Sequence, residues 1–379
     1  MPFKFNTITE EDILKSPGGL NMLSAIKYNG PRHMLVTGPP GSGKTTVTLM
    51  RATRQLLKEK TVRLLTYQHL LRYSLISIAD PILKDHIHTI YGWLYHTFEI
   101  NSEAHTKAEM EALMKKSGLK VDEILVDEGQ DLPKTIFEAL PTIASRIAVG
   151  ADSGQMFYEK GTRSEVIGEI LEAHLDLMPI PLQFNYRNFF ETYDFARQFM
   201  PPDARSTVLL EHMPKGKGGA DQRPIVIQTI NDENTLERII DLMLDNEFVN
   251  VAVLFYYPHE VDIWHRRIRD RLAQDRPDLY ISKFHSDMSV YQRDQEAEKM
   301  QNFVVTTYKY IKGLEFQVVI MPSMQYAMSK PKIETPQHYY VACTRATQKL
   351  FLLYSTPDKP LWMKGFRPET YVHQVYRPL

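Results

Sequence analysis

Apolar positions along this chain follow two rhythms that take turns. Short apolar runs read as buried strands: His33–Thr37, TVRLLTY (Thr61–Tyr67), the ILV core of VDEILVDEGQD (Val121–Asp131) and RIAVGAD (Arg146–Asp152). Between them Leu20–Tyr28, Val47–Lys58 and Gln68–Ile78 carry the helical period, and a polar surface helix is expected within Asn101–Lys120. The second half repeats the alternation with RPIVIQTI, a helix over Glu233–Leu244, VAVLFY, a basic amphipathic helix over Val261–Leu272, NFVVTTY, QVVIMP, a helix around Tyr339–Thr347, and KLFLLY. Alternation of this kind predicts an α/β fold with mainly parallel sheets flanked by helices, whose ligands lie at the carboxyl ends of the strands. Prolines at 179, 181, 201 and 202 punctuate the middle and place the boundary between two domains, 1–181 and 182–379, near Pro181. Pro214–Pro224, rich in glycine and lysine, reads as an exposed loop.

Composition narrows the class. At 379 residues the chain is too long for one ordinary core, and 43% hydrophobic with 24% charged residues suits a soluble globular protein. No apolar run reaches membrane-spanning length, and MPFKFNTITEED lacks the apolar core of a signal peptide. The single cysteine, Cys343, excludes an internal disulfide and a cysteine-built zinc site, so a cytoplasmic location is expected. A formal net charge of −1 means that any polyanion site must be a local groove. Basic clusters that could supply one are Arg51–Arg63, Lys115–Lys120 and His265–Arg271, although each taken singly also reads as a solvated helix face.

Chemistry enters at GPPGSGKTT, which follows the first strand and opens a helix. Gly38, Pro39, Pro40, Gly41, Ser42, Gly43, Lys44, Thr45 and Thr46 form a glycine loop whose backbone N–H groups can curl around a polyphosphate. Lys44 would reach the β- and γ-phosphates of ATP, and the Thr45 hydroxyl would ligate Mg²⁺. Asp127 and Glu128, at the tip of a buried strand, supply the two carboxylates that nucleotide hydrolysis requires: one to hold Mg²⁺, the other to polarise the attacking water.

From these acids onward the chain resembles the superfamily 1 helicases of the UvrD/Rep type over nearly its whole length. ILVDEGQD looks like that family's DEAQD motif, with Gly129 in the small-residue position. VGADSGQMFY (Val149–Tyr158) is similar to the next motif, where Gln155 would sense the γ-phosphate and Tyr158 would stack on a base. LQFNYRN (Leu182–Asn188) and YVACTRA (Tyr340–Ala346) resemble the motifs whose arginines, here Arg187 and Arg345, meet the γ-phosphate. TTYKYIKGLEFQVVI (Thr306–Ile320) is similar to the KGLE motif, in which Gly313 lies near the nucleotide and Glu315 hydrogen-bonds the ribose. The resemblance implies two RecA-like domains and ATP hydrolysis in the cleft between them. Tyr67 stands where the family's second motif offers an aromatic contact, and HTIYGWL places Thr89 in the next, with Tyr91 in place of histidine and Trp93 as a further stacking candidate.

Three departures from the family pattern shape the expected activity. Residues 1–37 contain no glutamine to read the adenine edge, and Lys309, which could meet a strand phosphate, replaces the usual histidine of the KGLE motif. The long insertions that build accessory domains in larger members are missing. The resemblance therefore implies a stripped ATP- and Mg²⁺-dependent motor that moves on single-stranded DNA, with RNA also compatible and a protein partner such as a nuclease possible. A nucleotide-gated subunit that switches such a partner is the competing expectation.

Overall fold

The computed structural model describes residues 8–101, 104–156, 158, 160–202, 208, 210–214, 221–330 and 333–377. Most of the loop expected at Pro214–Pro224, and Phe157 within the VGADSGQMFY motif, lie outside the described residues. The chain divides into two compact units, with the division after Tyr186 and with residues 210–212 joining the N-terminal unit.

The N-terminal unit is built on a six-stranded sheet of β1 (His33–Thr37), β2 (Val62–Thr66), β3 (Ile87–Thr89), β4 (Val121–Val126), β5 (Ala144–Ala151) and β6 (Leu177–Pro181). Its order is β3-β2-β4-β5-β1-β6, and every pairing is parallel. β4 is apolar throughout its second half because it lies mid-sheet with both faces covered, and Ile124, Leu125 and Val126 are fully buried. The helix Lys44–Leu56 starts at Gly43, whose φ of 93° is open to glycine and strained for other residues. Its inner face carries Val47, Ala52 and also Arg51.

Arg51 corrects one expectation. It is 1% exposed, donates from Nε to Glu123 at 2.6 Å and from Nη1 to the carbonyls of Ala25 and Tyr28. The other Glu123 oxygen accepts from Arg146 at 2.9 Å. This arginine is a satisfied core ion, unavailable to a polyanion.

The prolines near the boundary also behave differently from expectation. Pro179 and Pro181 lie within β6, in register with Leu35 and Thr37 of β1. An edge strand bonds on one side only, so a residue without an N–H fits where its missing donor would face outward.

The C-terminal unit holds a seven-stranded sheet of β7 (Ile225–Gln228), β8 (Val251–Phe255), β9 (Ile281–Phe284), β10 (Phe303–Thr307), β11 (Phe316–Met321), β12 (Ala346–Tyr354) and β13 (Val372–Val375). The order is β13-β7-β12-β11-β8-β10-β9, again parallel at every pairing. Helices Asp232–Leu244 and Pro258–Asp275 bury Ile239, Ile240, Trp264 and Ile268 together with Val253 and Ile320 of the sheet. The helix expected around Tyr339–Thr347 is Pro336–Cys343, and Thr347 belongs to β12. Part of the basic helix is paired: Arg267 with Glu233, Arg271 with Glu237 and with Asp275 of its own helix, while His265 bonds the Ile281 carbonyl. Both units are thus α/β sheets flanked by helices. Among the described residues no helix is long and apolar enough to cross a membrane.

Candidate nucleotide site

The glycine loop leaves β1 and is shaped by absences of side chain. A Cβ on Gly38 would lie 2.6 Å from both the Leu182 carbonyl oxygen and Ser42 Oγ, and Gly41 sits at φ 70°. Lys44, 6% exposed, folds back over the loop and donates from Nζ to the carbonyls of Gly38 at 2.7 Å and Pro39 at 3.0 Å. The ammonium is therefore held against the carbonyls of the loop itself.

β4 delivers the acids next to it. Thr45 Oγ1, one residue into the helix, donates to Asp127 Oδ2 at 2.9 Å. The other Asp127 oxygen is buried and has no hydrogen-bond partner among the described residues. Burial foremost, and then the neighbouring Glu128 charge, push the Asp127 carboxyl upward, while Thr45 and Lys44 act in the opposite direction. A buried carboxylate oxygen with nothing to bond, beside a threonine hydroxyl, suits a hard divalent cation such as Mg²⁺, which prefers oxygen donors. Glu128 occupies the left-handed region at φ 56°, an uncommon conformation for a residue with a side chain.

β5 supplies the next group. Gln155, 1% exposed, donates from Nε2 to Asp152 Oδ2 at 2.7 Å, and Asp152 Oδ1 accepts from the Gly154 N–H at 2.9 Å. Asp152 and Gln130 are the residues that motif reading passes over. Gln130 donates to Glu128 Oε2 at 2.5 Å and accepts from the Asp152 N–H at 2.9 Å. The signal was present in the sequence, since both residues lie inside the quoted motifs, but no local pattern tells which partner a buried glutamine takes.

The aromatic candidates lie at the same sheet end. Tyr67, directly after β2, packs against Tyr158 at a centroid distance of 4.5 Å and meets the edge of Tyr91 at 5.6 Å. Gln68 Nε2 donates to the Tyr158 hydroxyl at 3.2 Å. All three rings are half-buried, and Thr89 closes β3 beside them. Trp93 is different: it is 6% exposed and packs edge-on to Phe98 at 5.2 Å, which makes it a core residue instead of a stacking surface. Read across the sheet, the order of strands sets Thr89 and Tyr91 at β3, Tyr67 at β2, the acids at β4, Asp152 and Gln155 at β5, and the glycine loop at β1.

A family model described as an AAA domain matches residues 27–153, the stretch that carries this loop and both acids. Among solved structures the chain is similar to S. cerevisiae Dbp5 bound to RNA and ADP BeF3, at 12% identity over 94% of this chain and 88% of that one, with a TM-score of 0.53. Residues 27–153 thus carry a P-loop ATPase domain, and the chain shares its fold with Dbp5. The C-terminal domain of a possible DNA helicase from Lactobacillus plantarum WCFS1 also matches, at 18% identity over 50% of this chain and 98% of that one, with a TM-score of 0.36. No curated protein matches the sequence.

The remaining candidates lie in the C-terminal unit. Arg187, 14% exposed at its side chain, donates from Nε to Glu315 Oε2 at 2.8 Å, so two residues assigned separate contacts form an ion pair. Gly313, at φ 78°, follows the buried Lys312 in the chain. Arg345 is 1% exposed and donates to the carbonyls of Val341 at 3.1 Å and Leu314 at 3.2 Å. Lys309, half-buried, follows β10, and its charge joins burial in lowering the His338 imidazole to about 3.

Proposed function

We propose that this ATPase is a motor of the superfamily 1, UvrD/Rep kind, which hydrolyses ATP to move along single-stranded DNA. The observation that carries the reading is the row at the carboxyl end of the first sheet: tyrosines at one side, acids in the middle and the glycine loop at the other. Phosphate chemistry and stacking surface lie on adjoining strand ends, which is what coupling hydrolysis to a strand requires.

In this reading Lys44 exchanges its loop carbonyls for β- and γ-phosphate oxygens. Thr45 and Asp127 would hold Mg²⁺, which would offset negative charge on the phosphates. Glu128 orients and deprotonates the attacking water, while Gln155 contacts the γ-phosphate. Arg187 and Arg345 offset the charge that spreads over the phosphoryl oxygens in the transition state. Glu315 takes the ribose and Gly313 lines the nucleotide. Tyr67 and Tyr158 stack bases, and Thr89 and Lys309 meet strand phosphates. Because residues 1–37 lack a glutamine, Asn21 or stacking alone would have to hold the base, and strictness for ATP over other triphosphates is left for measurement. The bound RNA of Dbp5 keeps an RNA strand among the substrates to be tried.

The test is steady-state ATP hydrolysis by the purified chain, alone and with single-stranded DNA, single-stranded RNA or duplex, beside a Lys44→Ala control. Single-stranded DNA should stimulate turnover most, and the control should lose activity on the order of a hundredfold or more. Turnover indifferent to every nucleic acid would overturn the motor and favour a nucleotide-gated subunit that controls a partner such as a nuclease.

A further inference from the structure

We infer that Arg63, Arg72, His86 and His88 form a second phosphate-binding cluster, at the outer edge of the first sheet, which holds the backbone of a strand that has passed the tyrosines; this rests on the motor reading above. β3 is an edge strand, and β2 lies next to it. Leu65 of β2 is in register with His88, so Arg63, two residues before Leu65, lies on the same face of the sheet as His88. Arg63 donates from Nη1 to the Val62 carbonyl at 2.7 Å and meets His86 Nδ1 at 3.2 Å. A guanidinium only donates, so Nδ1 is the acceptor there and the His86 proton sits on Nε2, as a further donor. Arg72, from the helix His69–Ile78 that follows β2, donates from Nε to the carbonyl of Ile87, the residue between the two histidines, at 3.1 Å.

This group differs from the other buried arginines in lacking a carboxylate. Arg51 and Arg146 of the same unit share Glu123. Arg63 and Arg72 are both half-buried and bond carbonyls and an imidazole, with no acid within ion-pair distance among the described residues. Burial lowers the Arg63 guanidinium from its ordinary range. Burial also acts first on the His88 imidazole, and Arg63, Arg72 and His86 press it further, to about 4, against the exposed Asp85. Groups that disfavour one another's charge are thus held together, and an anion among them relieves that cost. The strands themselves indicate which anion. Tyr67 directly follows β2 and Tyr91 lies just beyond β3, so rings and cluster share one pair of strands. Four residues of extended chain put Arg63 about 13 Å from Tyr67. A strand whose bases stack at the tips and whose backbone turns over the sheet edge brings its phosphates to guanidinium forks that match them. Such forks take carboxylates as well, and the adjoining rings decide for the strand.

Oligothymidine length separates the two contacts. Affinity is measured over a range of salt with an oligomer of about five nucleotides, enough for the rings, and with one of about sixteen. In Arg63→Gln the slope of log K against log salt for the longer oligomer should become shallower by about 0.7, while binding of the shorter one is unchanged. Hydrolysis of ATP without nucleic acid should stay at the wild-type rate, which also shows that the variant is folded. Arg63→Lys, which keeps the charge, should restore the slope. Arg72→Gln should repeat the loss and serves if Arg63→Gln does not fold. The imidazole resonances of His88 should shift when the longer oligomer is added, and their midpoint should rise from about 4. Inorganic phosphate or oligoglutamate moving those resonances where the longer oligothymidine does not would overturn the strand assignment, in favour of a free anion or an acidic partner. An unchanged slope in a folded variant would overturn it equally. Failure of the wild type to bind either oligomer would bring down the motor reading itself, and that result needs no variant to be seen.

Discussion

At the residue scale the site is tight enough for one methyl group to matter. A Cβ on Gly129, in the position where the related DEAQD motif has alanine, would come within 2.4 Å of Val149 Cγ1, and Val149 is fully buried in β5. A valine in a strand has little rotameric freedom with which to yield. Gly129→Ala is therefore expected to destabilise the protein by about 1–3 kcal/mol through overpacking, read as a shift in the denaturant midpoint. Removing the obstacle should recover much of that loss, so Gly129→Ala is expected to cost less than half as much in a Val149→Ala background. Equal costs in both backgrounds would mean that the methyl is accommodated elsewhere. The glycine follows Glu128, whose backbone is already left-handed, so the same substitution should lower kcat as well as stability.

At the element scale, β1 and β5 are joined by more than their ladder. His33 opens β1, is 2% exposed, and accepts from the Ile147 N–H with Nδ1 at 3.0 Å. Burial, with a smaller contribution from His174, lowers its imidazole to about 4. The unfolded chain, with a histidine near 6.5, binds more protons than the folded one between those values. The contribution is thus fully present above about pH 6.5 and is lost as pH falls towards 4, amounting to at most about 3 kcal/mol. The imidazole resonances of His33 should titrate with a midpoint near 4 in the folded protein, and His33→Asn, which keeps an acceptor, should flatten the acid side of the stability profile. A midpoint near 6.5 would remove this account of the strand pair. Most strands were legible from their apolar runs, and the glycine loop from its spacing, because those signals are local. β6 was not, since Pro179 and Pro181 read as breakers and only the sheet order reveals an edge. β3, with its three residues, is too short for any period to show. Arg51 looked like one of a basic run, because nothing near it in sequence announces Glu123, 72 residues away. Gln130 was visible as a letter in a motif, but its partners on β5 and beyond come together only in the folded unit.

For the whole molecule, in the proposed motor, the charge balance decides how a strand can be held. The net charge is −1, Arg51 is consumed in the core, and Arg267 and Arg271 are paired with Glu233, Glu237 and Asp275. These arginines are taken up in ion pairs, whereas Lys115, Lys116 and Lys120 stay exposed and Tyr67, Tyr91 and Tyr158 offer ring area at one sheet end. Stacking contributes about 1–3 kcal/mol per base and is insensitive to salt, while each neutralised phosphate releases counterions and makes binding fall as salt rises. A strand held mainly by rings, with about three phosphate contacts, should give a slope of log K against log salt of about −2. Measuring oligothymidine affinity from low to moderate salt tests this directly. Tyr67→Ala should weaken binding at every salt concentration by a similar factor and leave the slope unchanged, whereas Lys309→Ala should make the slope shallower by about 0.7. A slope of about −5 or steeper in the wild type would require a cationic track of about seven phosphate contacts, and the tyrosines would then be a packing cluster instead of the strand site.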